Sequence, residues 1–177
     1  MKKILLTLTL LFAFSFSVYA IENKTQYGQW WVYNYINNFN DKKIIGIYQA
    51  YTNNIGNIQS IQILTSSDFI NIGISYIGKN KNNIKTFQYR FDNEEIKSIN
   101  VNMNNDIFNL FVINKEMNNK EALLFIKKIV NSKRLRATFD NNTINIYDFE
   151  LVGIKEILKN TDFSNTLLDK YKNDILN

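Results

Sequence analysis

Residues 58–77 read IQSIQILTSSDFINIGISYI, and this stretch decides the fold class. Apolar and polar residues alternate on both sides of the segment Thr65–Asp68, which is the period-two pattern of β-strands. Thr65-Ser66-Ser67-Asp68 has the small, polar composition of a tight turn. The stretch therefore predicts an antiparallel hairpin that joins the strands Ile58–Leu64 and Phe69–Ile77.

The same alternation continues outward from this hairpin in both directions. It predicts further strands near residues 30–36, 44–51, 87–91, 99–103 and 107–113. A final hairpin is predicted from residues 134–139 and 143–151, with its turn at 140–142 and a bulge near Tyr147-Asp148.

The period changes to that of a helix in two parts of the C-terminal third. Asn118 or Asn119 can cap a helix that extends to Ser132, and a short helix follows Gly153. This order of elements predicts a mainly β fold, an antiparallel β-sandwich or small barrel of about eight strands with one or two helices near the C-terminus.

The first 20 residues have the features of a secretory signal peptide. Lys2 and Lys3 precede an apolar run over residues 4–16, and Val18-Tyr19-Ala20 offers the small-residue pattern of a cleavage site. We therefore expect cleavage near Ala20-Ile21 and a periplasmic or secreted chain with no transmembrane span. The remaining sequence divides into a single β-rich domain at 21–160 and an amphipathic C-terminal helical extension at 161–177.

Composition restricts the possible chemistry of the protein. The 177 residues include no His, no Cys and no Pro, and the formal net charge of +5 is spread along the chain. Disulfides, the usual zinc and haem ligands, and the Ser-His-Asp and Cys-His nucleophile systems all require a missing residue type. We expect no cofactor and no metal. The scattered basic residues also predict no nucleic-acid partner.

Four short segments resemble a group of exported bacterial β-sandwich proteins. The segments are Gly28-Gln29-Trp30-Trp31-Val32, Tyr89-Arg90-Phe91-Asp92, Leu135-Arg136-Ala137-Thr138-Phe139 and Phe149-Glu150-Leu151-Val152-Gly153. The group comprises the invasion-associated locus B proteins and the type VI secretion-associated TagO-like proteins. The resemblance implies a periplasmic accessory or interaction role, linked to secretion or host association. It brings no catalytic residues with it.

The aromatic residues Trp31, Tyr33 and Tyr35 form one candidate site. They share one face of a predicted strand, where aromatic rings can stack on sugars or receive the apolar side chains of a partner protein. The alternative is that the rings are buried in the interior of the sandwich.

Arg90 and Arg136 form a second candidate site. Both lie on predicted strands, opposite the apolar phase, and the planar guanidinium group suits a carboxylate or phosphate. The alternative is a structural ion pair with Asp92, Asp140 or Glu150.

Asp148 and Glu150 are two residues apart on a predicted strand. Their side chains would therefore project from one face about 6.5–7 Å apart, a separation compatible with paired acid-base chemistry. A polar strand face explains the same pattern, and no second motif indicates an enzyme.

The sequence as a whole favours an exported, non-enzymatic accessory protein that acts as a protein-interaction module. The expected partner is another cell-envelope protein, with Trp31, Tyr33, Tyr35, Arg90 and Arg136 as the candidate contacts. The alternative function is a carrier of a small ligand or lipid in a barrel cavity, since about eight antiparallel strands suffice to enclose one ligand.

Overall fold

The computed structural model of the chain shows eleven strands and three helices among the residues that it describes. Those residues are 19–37, 41–52, 58–77, 86–101, 103–104, 107–114, 120–139 and 146–177. The predicted mainly β fold with antiparallel sheets and helices near the C-terminus is confirmed. No described helix is both long enough and apolar enough to span a bilayer.

The larger of two antiparallel sheets has seven strands: β1 (Tyr19–Tyr27), β2 (Trp30–Asn37), β3 (Lys42–Thr52), β4 (Ile58–Ser66), β5 (Phe69–Ile77), β8 (Met103–Asn104) and β9 (Ile107–Asn114). Their order in the sheet is β1-β2-β3-β4-β5-β9-β8. Strands β4 and β5 form the hairpin predicted from residues 58–77, and Ile63 pairs with Ile72 across it.

The smaller sheet has four strands: β6 (Thr86–Phe91), β7 (Lys97–Asn100), β10 (Arg134–Phe139) and β11 (Tyr147–Glu150). Their order in the sheet is β11-β10-β6-β7. The described strands thus form two separate sheets with free edges, and they do not close into the barrel that was the alternative prediction.

Three helices complete the fold: α1 (Lys120–Asn131), α2 (Ile154–Asn160) and α3 (Leu167–Leu176). Helix α1 packs against β9 and α3, whereas α3 packs against β4 and β5. The Thr65 hydroxyl accepts a hydrogen bond from the backbone N–H of Leu168 at 3.2 Å. Thr65 shares the inner side of β4 with Ile61 and Ile63, so α3 lies on the inner side of the large sheet.

A continuous hydrophobic core joins the two sheets through α1. The ring of Phe125, on α1, lies 5.1 Å from the ring of Tyr89 and 5.3 Å from that of Phe91, both on β6. The same ring lies 5.0 Å from that of Phe111 on β9. Phe125 therefore contacts both the small and the large sheet.

The C-terminal segment contributes to the same core. Phe163, Leu168 and Ile175 are almost completely buried. The ammonium group of Lys43, on β3, forms an ion pair with Asp162 at 3.1 Å. Residues 161–177 therefore cover the inner side of the large sheet through both apolar and ionic contacts.

Two details of the sequence interpretation need correction. The bulge predicted near Tyr147-Asp148 is wrong, because β10 and β11 pair without a register shift and Tyr147 and Phe149 are both buried in one phase. Ile146, in the opposite phase of the strand, is exposed. Strand β1 was not predicted, because its sequence YAIENKTQY lacks regular alternation.

Several predicted features lie outside the described residues. They are the basic and apolar parts of the signal peptide at 2–16, the helix caps at 118 and 119, and the hairpin turn at 140–142. Tyr19 and Ala20 belong to β1, paired with Asn37 and Ile36. Cleavage after Ala20 would leave residues 21–27 of this strand in the mature chain.

Candidate functional site

The predicted aromatic residues lie together on the outer side of β2, and the neighbouring strand adds a fourth ring. In the antiparallel register Trp31 pairs with Tyr48, and Tyr33 pairs with Gly46. Since Trp30 and Val32 fill the inner side of the strand, Trp31, Tyr33 and Tyr35 project outward. We refer to Trp31, Tyr33, Tyr35 and Tyr48 as the aromatic surface.

The three tyrosine rings of the aromatic surface are stacked on one another. The ring centroids of Tyr33 and Tyr48 are 4.9 Å apart with an interplanar angle of 9°, and those of Tyr33 and Tyr35 are 5.8 Å apart at 27°. The hydroxyl groups of Tyr33 and Tyr48 are hydrogen-bonded to each other. The Tyr33 ring is therefore stacked against two neighbouring tyrosines.

Trp31 is held by a cation rather than by another ring. The ammonium group of Lys24, on β1, lies 3.7 Å from the centroid of the Trp31 ring, which is the geometry of a cation–π interaction. Such a contact at a partly exposed site is worth about 0.5–1 kcal/mol. Lys24 thus covers one face of the indole.

Gly46 makes room for the innermost ring of the aromatic surface. A Cβ atom at this position would lie 3.1 Å from Leu64 Cδ2 and 3.3 Å from Tyr35 Cε2, tighter than ordinary van der Waals contact. Tyr35 consequently lies against the backbone of β3 and is only 8% exposed. Trp31, Tyr33 and Tyr48 are partly exposed, so they form the accessible part of the surface.

Burial perturbs the acidity of all three tyrosines. It raises the pKa of Tyr35 to about 12, with a smaller contribution from repulsion between the phenolates of Tyr35 and Tyr48. Burial and the hydrogen bond with Tyr48 raise the pKa of Tyr33 still further. Burial also raises the pKa of Tyr48, although its hydrogen bond with Tyr33 opposes the rise. All three side chains are therefore neutral hydrogen-bonding groups at physiological pH.

Sequence reasoning missed Tyr48, although a signal for it was present. Ile45 and Ile47 mark the inner phase of β3, so Tyr48 is on the outer phase by simple alternation. Its position beside Trp31 depends on the register between β2 and β3, which alternation alone does not specify.

Arg90 and Arg136 lie on the other sheet, where they are brought directly opposite each other. Arg90 on β6 pairs in register with Arg136 on β10. Arg134 is two residues before Arg136 and projects from the same side, away from the buried Leu135. These are all the arginines of the chain. We refer to Arg90, Arg134 and Arg136 as the arginine face.

Arg136 forms an ion pair, as the alternative interpretation predicted, but its acidic partner is not one of the three carboxylates considered there. Asp148 forms an ion pair with Nε of Arg134 at 3.2 Å and accepts a hydrogen bond from Nε of Arg136 at 3.4 Å, because β11 places it opposite Arg136. Of the three predicted partners, Asp140 lies outside the described residues. The carboxylate of Asp92 accepts hydrogen bonds from the backbone N–H groups of Lys133 and Arg134 instead.

The carboxylates of Asp148 and Glu150 share one face of β11, and both have structural partners. Asp148 is shared between two arginines, whereas Glu150 accepts a hydrogen bond from the side-chain amide of Gln29 at 3.0 Å. Gln29 Oε1 in turn accepts from the amide of the buried Gln49 at 2.8 Å. These contacts assign both carboxylates roles in holding side chains and sheets in place.

The described residues include no group of three His, Cys, Asp or Glu side chains that could hold a metal ion. The structure also places the predicted site residues in two groups, one on each sheet, instead of in one site. Searches of known protein families, characterised proteins and solved structures return no match for this chain. The geometry of the two surfaces is accordingly the basis for the functional argument.

Proposed function

We propose that this protein is an exported, non-enzymatic accessory protein that binds another protein of the cell envelope through the aromatic surface. One observation carries the proposal: Trp31, Tyr33 and Tyr48 are large, partly exposed and held in fixed orientations on the outer side of a sheet. Trp and Tyr are enriched among the side chains that dominate binding energy at protein interfaces. Rings fixed before binding lose little conformational entropy when a partner docks.

The orientation of the rings favours a protein partner over a carbohydrate. A sugar ring stacks on an open aromatic face, but the ring of Tyr33 is already stacked against those of Tyr35 and Tyr48. Lys24 covers one face of Trp31. Tyr33 and Tyr48 therefore combine partly exposed, stacked rings with hydroxyl groups, and these suit the mixed apolar and hydrogen-bonding surface of a protein.

The contacts of the carboxylates support a non-enzymatic role. Asp148 and Glu150 are the only pair that the sequence nominated for catalysis, and each is committed to neighbouring side chains. General acid-base catalysis requires a carboxyl group that can contact the substrate.

The export proposal rests on the pattern of the first 20 residues, with Lys2 and Lys3 before an apolar run. The carrier alternative has less support, because it depended on a barrel cavity and the described strands form two open sheets.

Site-specific photo-crosslinking of the full chain in its producing cells tests the proposed interface. Gln62 lies beside Tyr48 on the outer side of β4, so a benzoylphenylalanine at Gln62 reports on a partner docked there. We expect one discrete cross-linked envelope protein, lost when Trp31→Ala is added. The matched control places the same group at Glu156, an exposed residue of α2.

The outcome is decisive in either direction. Cross-linking of the same protein from Gln62 and Glu156 would contradict a partner docked on the aromatic surface. So would an unchanged Gln62 product in the Trp31→Ala chain, provided that circular dichroism shows an unchanged fold.

A further inference from the structure

The arginine face gathers guanidinium groups on one side of a four-stranded sheet. All three arginines of the chain project from it. Arg90 and Arg136 are paired across neighbouring strands, so their Cα atoms lie within about 5.5 Å of each other. Like charges directly opposite each other on neighbouring strands are destabilising. A sheet face of this kind gains stability when an anion binds between the two side chains.

Asp148 orients Arg134 and Arg136 but does not occupy all of their N–H donors. Within the described residues, the ion pairs of Arg134 and Arg136 run through Nε to the two oxygens of Asp148. A guanidinium group has five N–H donors, so the Nη edge of each remains available for a second, bidentate contact. Asp148 is thus a positioning residue that holds the guanidinium groups of Arg134 and Arg136 close together on the arginine face.

Among the described residues, Arg90 has no corresponding acidic contact. In the part of the chain that the structure describes, its guanidinium group forms no ion pair, although it lies across from Arg136. Asp148 is on the far side of β10 from Arg90, because the strand order is β11-β10-β6. The position between Arg90 and Arg136 is therefore the place on this face where positive charge is least compensated.

We propose that Arg90 and Arg136 bind the carboxylate of an acidic side chain on a protein partner. This inference rests on the proposed function for the class of partner, but it concerns a different sheet and a different set of residues. The two guanidinium groups would each donate N–H groups to the carboxylate, with Arg136 held in place by Asp148.

The charge of the face favours a carboxylate on a protein over a phosphate group or an anionic membrane. Three arginines against Asp148 and Glu150 leave a formal charge of only +1, which matches one carboxylate. The other outward side chains, including Gln88 and Thr138, are neutral. A membrane-binding surface would need a broad basic bias, and this face lacks one.

Nuclear magnetic resonance of the full chain provides a direct test. Because the chain has three arginines, its Nε–H region contains three signals, which Arg→Lys variants assign. The probe is an extended peptide of alternating Asp and Thr, compared with a peptide in which Asn replaces every Asp. We expect the Asp peptide to shift the Arg90 and Arg136 signals, and Arg90→Lys to weaken binding about tenfold by removing the fork.

Controls separate this inference from a general charge effect and from the proposed function. Lys170→Gln removes a positive charge from the exposed side of α3 and should leave peptide binding unchanged. Trp31→Ala should also leave it unchanged, whereas the same variant should abolish the cross-link from Gln62. Failure at one surface is thus distinguishable from failure at the other.

Three results would overturn the inference. The first is equal binding of the Asp and Asn peptides. The second is unchanged binding in Arg90→Lys. The third is a larger response of the Arg90 and Arg136 signals to inorganic phosphate or to phosphatidylglycerol vesicles than to the Asp peptide, which would replace the carboxylate with a phosphate-bearing ligand.

Discussion

Alkaline pH should destabilise the protein through the tyrosines of the aromatic surface, and Tyr35 allows the size of the effect to be derived. Its pKa of about 12 in the folded chain compares with about 10 in an unfolded chain. Between these values the unfolded state loses its proton first, so the free energy of unfolding falls as the pH rises. The stabilisation is complete below pH 10 and is lost by about pH 12.

The expected magnitude follows from the difference in pKa. Two units at about 1.4 kcal/mol each give about 3 kcal/mol from Tyr35 alone, which is an upper estimate for a single group. Total stabilities of single domains are about 5–15 kcal/mol. Tyr33 and Tyr48 are also raised and act in the same direction. The loss should therefore appear as a steep fall in Tm above pH 10.

The assay compares the chain with its Tyr35→Phe variant from pH 8 to pH 12. Thermal unfolding followed by circular dichroism gives Tm, while absorbance at 295 nm follows tyrosinate formation. The variant should lose stability less steeply, because one perturbed phenol is gone. Tyr171→Phe is the matched control, since it removes a phenol outside the aromatic surface. Lysine deprotonation affects all three chains equally.

Parallel decreases in Tm for the wild type and Tyr35→Phe would refute this reasoning. They would mean that Tyr35 is not packed against Gly46 and β3 in solution, and the fixed ring orientations used in the functional argument would fail with it.

Two further substitutions test individual features of the fold. Arg90→Thr removes one of two like charges that face each other across neighbouring strands. It should raise the free energy of unfolding, measured by urea denaturation, by about 0.2–1 kcal/mol. A decrease would show that Arg90 is structurally paired. Gly153→Ala should lower the free energy of unfolding by about 1–3 kcal/mol, because φ of Gly153 is +100° and the added Cβ would lie 3.0 Å from the Tyr27 carbonyl oxygen. An unchanged urea midpoint would contradict that contact.

Alternation of residue types was sufficient to predict most strands, because one side of each faces a core. Residues 58–77 show this clearly: Ile61, Ile63 and Ile72 are fully or almost fully buried where the pattern predicts. Strand β1 has no such pattern, since Lys24, Thr25 and Gln26 are all exposed at the edge of the sheet. Edge strands are held by backbone pairing with one neighbour, and backbone pairing leaves little trace in composition.

The candidate site was less predictable than the fold, because it depends on register between strands. The sequence indicated that Arg136 would project outward, but not that β11 would bring Asp148 beside it. A shift of one residue in that pairing would turn Asp148 to the other side of the sheet. The same limit applies to Tyr48, which became part of the aromatic surface only through its pairing with Trp31.

The turn between β1 and β2 links the two surfaces mechanically. Gln29, in this turn, donates to Glu150 of β11 and accepts from Gln49 of β3, so a short chain of side-chain amides crosses from the large sheet to the small sheet. Gly28, with φ of +60°, brings the same turn close to the Val152 carbonyl oxygen.

This chain of hydrogen-bonded side chains includes Gln29, one residue before β2, and β2 carries most of the aromatic surface. It ends at Glu150 on β11, the strand whose Asp148 positions two side chains of the arginine face. Because these hydrogen bonds join strands that carry the two surfaces, a partner that contacts both would engage the second surface with a smaller additional loss of translational and rotational freedom.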